Sequence, residues 1–183
     1  MRTLNTKEIS DCVYRLARKA GVTLTPACHA ALESAAAQET GAARFALETV
    51  LENERTAARE QMPVCQDTGM AVVLIELGQD VHLTGAPLKE AVDDGVRRAY
   101  ADGCFRKSIC DPLTRENTGD NTPAHLHLDM VAGENIRVTF LPKGFGSENM
   151  SRLVMLTPSQ GRKGIVDTIV ETVKIAGSRP CPP

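Results

Sequence analysis

The chain has 183 residues, 21 basic against 23 acidic side chains, and no tryptophan among only six aromatic residues. Near-balanced charge without a long basic run, and too few aromatic rings for base stacking, argue against a nucleic-acid surface. No apolar run approaches the roughly 18 residues of a membrane span, and the start Met1-Arg2-Thr3-Leu4-Asn5 has no signal-peptide hydrophobic region, so a cytoplasmic protein with no membrane partner is expected.

The length suits one domain spanning residues 1–183, with a helical preface. Ile9, Cys12, Val13, Leu16 and Ala20 recur at helical spacing behind Thr6, a predicted N-cap, and Gly21 closes this first helix, 6–20. Thr25-Pro26 opens a second helix through about Gln38, and a third runs over about 42–61. After Pro63 a turn-rich stretch gives way to the near-continuous apolar run 70–77, a strand.

Residues 87–101 read as a helix with Leu88, Ala91, Val92 and Gly95 along one side. Strands are predicted at 125–131 and 135–141, joined through Gly133-Glu134 as a hairpin, and again at 150–156. A last helix, 161–177, has Ile165, Ile169, Val173 and Ile175 facing inward. The expected fold class is α+β: a helical N-terminal layer followed by a small mixed β-sheet packed with helices.

Six cysteines, with no CxxC pair, argue against a zinc ribbon, and a cytosolic chain keeps thiols for packing, metal binding or chemistry. Cys12 and Cys28 read as small fillers in helices, and Cys104 and Cys110 as packing or incidental thiols. Cys65-Gln66-Asp67-Thr68-Gly69 is different. Five consecutive polar or flexible positions have no packing rationale, since buried polar groups need partners.

A second polar loop is Lys143-Gly144-Phe145-Gly146-Ser147-Glu148-Asn149, whose backbone N–H groups can form a nest for a carboxylate. Arg106 offers a planar fork for two parallel bonds to a carboxylate. Asn117-Thr118-Gly119-Asp120-Asn121-Thr122-Pro123 is dense in side chains that bond their own backbone, and reads as a structured turn that shapes a pocket. His125, His127 and Asp129 share one strand face; a half-buried strand face accounts for them better than a metal trio.

Taken together, the Cys65 loop, Arg106-Lys107-Ser108, Asn117 to Ala124, the Lys143 to Asn149 loop and Arg179-Pro180-Cys181-Pro182-Pro183 resemble, in this order, the alpha subunits of class I fumarate hydratases and L-tartrate dehydratases. The resemblance covers most of residues 8–183. It implies a 4Fe-4S cluster held by three cysteines, of which Cys65 and Cys181 match two. The open fourth iron is a Lewis acid for the hydroxyl that leaves as water.

It further implies that Gln66, Asp67, Arg106, Lys143 and Gly146, with Gly144 as its competitor, bind a small dicarboxylate. The reaction implied is the hydration of fumarate to L-malate, a lyase step of the tricarboxylic acid cycle, or the dehydration of L-tartrate. The proton-abstracting base is then expected on a beta subunit or C-terminal domain. The family's third cluster cysteine lies beyond the second, so the chain is expected to be the N-terminal part of a longer alpha subunit. Rival readings are a non-catalytic binding module and, more weakly, a hydrolase using Cys65, for which no spacing supplies a base.

Overall fold

The structure is a computed structural model, and it describes residues 1–180. The chain divides into two compact units, Met1–Lys143 and a second beginning at Gly144, each described by itself.

The first unit opens with β1 (Arg2–Asn5), a strand too short for periodicity to reveal, followed by α1 (Thr6–Val22), α2 (Pro26–Gln38) and α3 (Gly41–Glu60). The cap of α1 is Asn5 rather than the expected Thr6: the Asn5 side chain accepts the Lys7 N–H at 2.9 Å. Thr6 is buried inside the first turn, where its hydroxyl donates to the carbonyls of Thr84 and Ala86. α2 opens at Thr25-Pro26 as expected, and the Thr25 hydroxyl caps it. Cys28 is exposed on α2 and fills nothing, contrary to its reading as a packing thiol.

The central strand is β2 (Met70–Gly78), followed by β3 (Val81–Thr84), α4 (Leu88–Asp102), β4 (His125–Val131) and β5 (Ile136–Lys143). β1 and β3 form a separate two-stranded parallel pair. The expected hairpin between 125–131 and 135–141 does not form. Both strands flank β2 in the order β4-β2-β5, with β4 parallel and β5 antiparallel to it.

The physical reason lies in β2 and α4. The apolar run of β2 claims the centre of the sheet, and α4 supplies the long crossover that a parallel neighbour requires. The turn between β4 and β5 wraps around the end of β2: Gly78 N–H donates to the Asn135 carbonyl, Gln79 N–H to Val131, and Asp80 N–H to Gly133.

One face of β2, through Ala71, Val73, Ile75 and Leu77, packs into a core shared with α1 and α4. Val13, Val92 and Val96 are fully buried there, each contributing on the order of 1.5–3 kcal/mol of burial. Gly95 lets the two helices close, because a Cβ there would lie 2.5 Å from the Ser10 carbonyl oxygen. At the rim, Arg98 donates to Asp11, Asp94 and Ser10, and the carboxyl of Asp94 is held below its ordinary range by the Ser10 hydroxyl and by Arg98. The opposite face of the sheet carries His125, His127 and Asp129, all exposed.

The second unit begins with a 3-10 turn, Gly146–Met150. The strand expected at 150–156 is not one: residues 151–157 make no ladder, and Leu153 and Met155 are 87% and 86% exposed. A 3-10 turn at Pro158–Gln160 leads into α5 (Gly161–Ala176). The expectation that Ile165, Ile169, Val173 and Ile175 face inward is overturned, since all four are exposed.

Candidate active site

Within the segment between α3 and β2, residues 65–69 run from solvent into the core. Cys65 and Gln66 are exposed, Asp67 is half-buried, and Thr68 and Gly69 are buried. The loop is closed by its own groups: the Cys65 thiol donates to the Asp67 carbonyl at 3.4 Å, and Gly69 N–H donates to Asp67 Oδ1 at 3.2 Å. Its buried end is tied from three directions.

From α4, the Tyr100 hydroxyl donates to the Thr68 carbonyl at 2.8 Å, with Gly69 O at 3.3 Å. Burial pushes the Tyr100 phenol well above its ordinary value, and the negative charge of Asp67 adds to that shift, so the group stays a proton donor to the loop. From the next segment, the Thr68 hydroxyl donates to the Arg106 carbonyl at 3.0 Å. From the third, Asn121 Nδ2 donates to the Gly69 carbonyl at 3.1 Å while its Oδ1 accepts the Ser108 N–H at 2.7 Å.

Arg106 itself is exposed, beside the buried Phe105, whose ring meets Tyr100 edge-on at 5.4 Å and lies 5.6 Å from the Arg18 guanidinium. A second polar tie builds the Asn117 to Ala124 turn. Asn117 Nδ2 donates to the Lys107 carbonyl, Gly119 N–H to Asn117 Oδ1, and Thr122 N–H and hydroxyl both to Asp120 Oδ1. Partial burial of Asp120 opposes its ionisation, but the two Thr122 bonds and Arg97 outweigh it and hold its pKa at about 2.

The sequence-predicted residues thus separate into three groups. Cys65, Gln66 and Asp67 share one loop, and the Arg106 segment is bonded to that loop's base. Lys143 ends β5 opposite Met70, the residue that follows Gly69, so it stands at the same end of the sheet. Gly146 begins the 3-10 turn of the second unit, and Cys181 lies outside the described residues.

Sequence reasoning missed Tyr100, which reads as one more residue of an apolar helix face, and it did not single out Asn121 within its turn. The available signal for Tyr100 was its place one turn after Val96 on the buried stripe, where a phenol needs a partner.

Chemically, the corner offers an exposed thiol, an amide, a carboxylate and a guanidinium above a hydrogen-bonded floor in which the buried Ser108 hydroxyl has no partner among the described residues. An exposed loop thiol held by a long bond to a carbonyl suits a metal or cluster ligand, as its sulfur is available at small cost. Among the described residues no group of three or more His, Cys, Asp or Glu is placed to hold a metal ion.

A family model described as Fumarate hydratase (Fumerase) matches residues 10–183. A Methanocaldococcus jannaschii protein provisionally named L(+)-tartrate dehydratase subunit alpha is 37% identical over 183 residues, covering 96% of this chain and 64% of that protein. Fumarate hydratase 2 of Leishmania major is 35% identical over 76% of this chain, and the anaerobic class I fumarate hydratase of Escherichia coli 33% identical over 73%. The chain spans 25% of the length of each of these two.

Proposed function

The chain belongs to the fumarate hydratase (Fumerase) family, and from that premise we propose that it supplies the cluster-ligand and substrate-gripping part of a hydro-lyase acting on a four-carbon dicarboxylate. The reaction is the reversible addition of water to fumarate, giving L-malate. The observation that supports this reading is the bonding of the Arg106 segment to the base of the Cys65 to Gly69 loop, which keeps a carboxylate-binding guanidinium and a candidate metal-binding thiol at one corner.

In this reading Arg106 takes one substrate carboxylate through its two parallel N–H donors, and Gln66 donates its amide to a carboxylate oxygen. Asp67 accepts from the substrate hydroxyl. Lys143 adds positive charge at the same end of the sheet, favouring the dianion as charge builds when the C3 proton leaves. The assignment of Gly146 as a backbone donor rests on its motif alone.

Cys65, with Cys181, would hold a 4Fe-4S cluster, which when bound supplies Lewis acidity for the departing hydroxyl. Tyr100 is no base, since its phenol is held protonated. The proton-abstracting base is placed on a beta subunit or C-terminal domain, in keeping with the alpha-subunit name of the Methanocaldococcus jannaschii relative.

A second reading, dehydration of L-tartrate to the enol of oxaloacetate, is favoured by that same relative, whose similarity runs over nearly the whole chain. Anaerobic iron-sulfur reconstitution with a candidate beta subunit, assayed against fumarate, malate and L-tartrate, tests both. Malate formation from fumarate supports the first reading and turnover of tartrate alone the second. A loaded cluster with neither activity would refute both.

A further inference from the structure

Asn121 is completely buried, and both ends of its amide are spent on different functional segments: Oδ1 on the Ser108 N–H, Nδ2 on the Gly69 carbonyl. Its backbone has φ of 63°, a left-handed conformation that asparagine tolerates better than other side-bearing residues. Tyr100 and Thr68 complete a closed circuit. Tyr100 holds Thr68 from below, Thr68 holds Arg106, and Asn121 joins Ser108, two residues past Arg106, back to Gly69.

The Cys65–Asp67 stretch and the Arg106 segment are therefore linked through bonds to backbone groups: the carbonyls of Thr68, Gly69 and Arg106 and the Ser108 N–H. The bonds from Tyr100 to Thr68 and from Asn121 to Gly69 are buried and the other two partly buried, where a neutral hydrogen bond is poorly replaced by water and a lost partner leaves its mate unsatisfied. A planar amide, with a donor end and an acceptor end in one rigid group, serves an N–H and a carbonyl at once.

We propose that Asn121 is a positioning residue: its side-chain amide, backed by the Tyr100 hydroxyl, fixes the distance between the Cys65 to Asp67 loop and Arg106, and so tunes dicarboxylate affinity. This rests on the substrate-binding roles proposed above for Asp67 and Arg106, whereas the mechanical link itself does not.

The test compares Asn121→Asp, Asn121→Ala, Tyr100→Phe and, as a stability control, Val92→Ala, each in the full-length protein with its partner subunit. N121D keeps an acceptor for Ser108 and, once ionised at alkaline pH where it is read, loses the donor to Gly69; N121A loses both at any pH. Peptide-resolved hydrogen exchange is expected to show Ser108 protection kept in N121D and lost in N121A. In metal-free protein, alkylation of Cys65 relative to the exposed Cys28 is expected to change about threefold or more in N121D, N121A and Y100F, and not in V92A.

KM for the dicarboxylate is expected to rise about tenfold in N121D, with a smaller change in kcat, while V92A lowers the melting temperature without moving KM. Should N121A fail to fold, Y100F, which keeps its ring in the core, still reads the link. The proposal is overturned if N121D and Y100F leave the Cys65 ratio and KM within about twofold of wild type. A wild-type protein that turns over neither fumarate nor tartrate sinks the proposed function instead, and exchange and alkylation then still judge the link.

Discussion

Helices α4 and α5 carry comparable apolar stripes, yet they meet different fates. Along α4, Ala91, Val92, Val96, Ala99 and Tyr100 are all buried, each at 5% exposure or less; along α5, Ile169 and Val173 remain 58% and 66% exposed. The contrast teaches that periodicity identifies the face a helix has available for burial and says nothing of what covers it. What decides the outcome for α4 is a neighbour with complementary relief, α1, whose Ser10 carbonyl approaches Gly95 so closely.

The sharpest way to break this comparison is a charge placed on each stripe. Val96→Asp buries an unpaired carboxylate and is expected to abolish cooperative folding of the first unit, a loss on the order of 4 kcal/mol or more by urea titration. A folded, cooperatively melting V96D protein would mean the α1–α4 core is far softer than its burial indicates.

Next in size is Phe105→Ala, expected to cost about 3–5 kcal/mol, because it empties a site filled by a ring packed on Tyr100 and Arg18. A loss under about 1 kcal/mol, read from the shift in denaturation midpoint, would show that the surroundings collapse into the gap. Tyr100→Phe is smaller, about 1–2 kcal/mol, as only the hydroxyl shared between the Thr68 and Gly69 carbonyls is removed. Thermal melts of Y100F that overlay wild type would show water replacing that donor.

Asp120 supplies a pH signature. Its carboxyl is lowered from 3.8 to about 2, so its stabilisation is fully present above the unfolded value and is lost as pH falls from about 4 through about 2. Asp120→Asn is therefore expected to lower stability at neutral pH and to flatten the acid limb of the curve, measured by melts between about pH 2 and 6. An acid limb equally steep in D120N would assign the loss to other carboxylates.

At the bottom of the scale stands Ile169→Lys on the exposed stripe of α5, expected to shift stability by less than about 0.5 kcal/mol. A loss above about 2 kcal/mol in I169K would erase the distinction between the two helices.

The same distinction explains what could be read from the chain beforehand. The burial of α1 and α4 was legible because it follows their own periodicity, and β2 was legible from its apolar run. β4 and β5 were legible as strands but not as neighbours of β2, since alternation marks a pleat and not a partner. Residues 150–156 have strand composition without a ladder, because propensity cannot supply the second strand.

In the candidate site, Cys65, Gln66, Asp67 and Arg106 stood out as chemistry without a packing role, and the structure gathers the loop and the Arg106 segment at one corner. The floor beneath them was illegible. Tyr100 lies 31 residues from Gly69, and Asn121 lies 52. Their bonds exist only once β2, α4 and the 106–124 segment have been folded against one another.

Gly21, near the end of α1, occupies an unobtrusive position with a wide reach. Its carbonyl accepts the N–H of Val64, the residue before Cys65, at 3.0 Å. The space where its side chain would stand is filled by the ring of Phe105, the residue before Arg106, whose Cζ would lie 2.3 Å from a Cβ. One backbone position thus serves as a common datum for both halves of the corner. The smallest possible addition there, a single methyl at residue 21, would press on the Phe105 ring and move one half of the corner against the other.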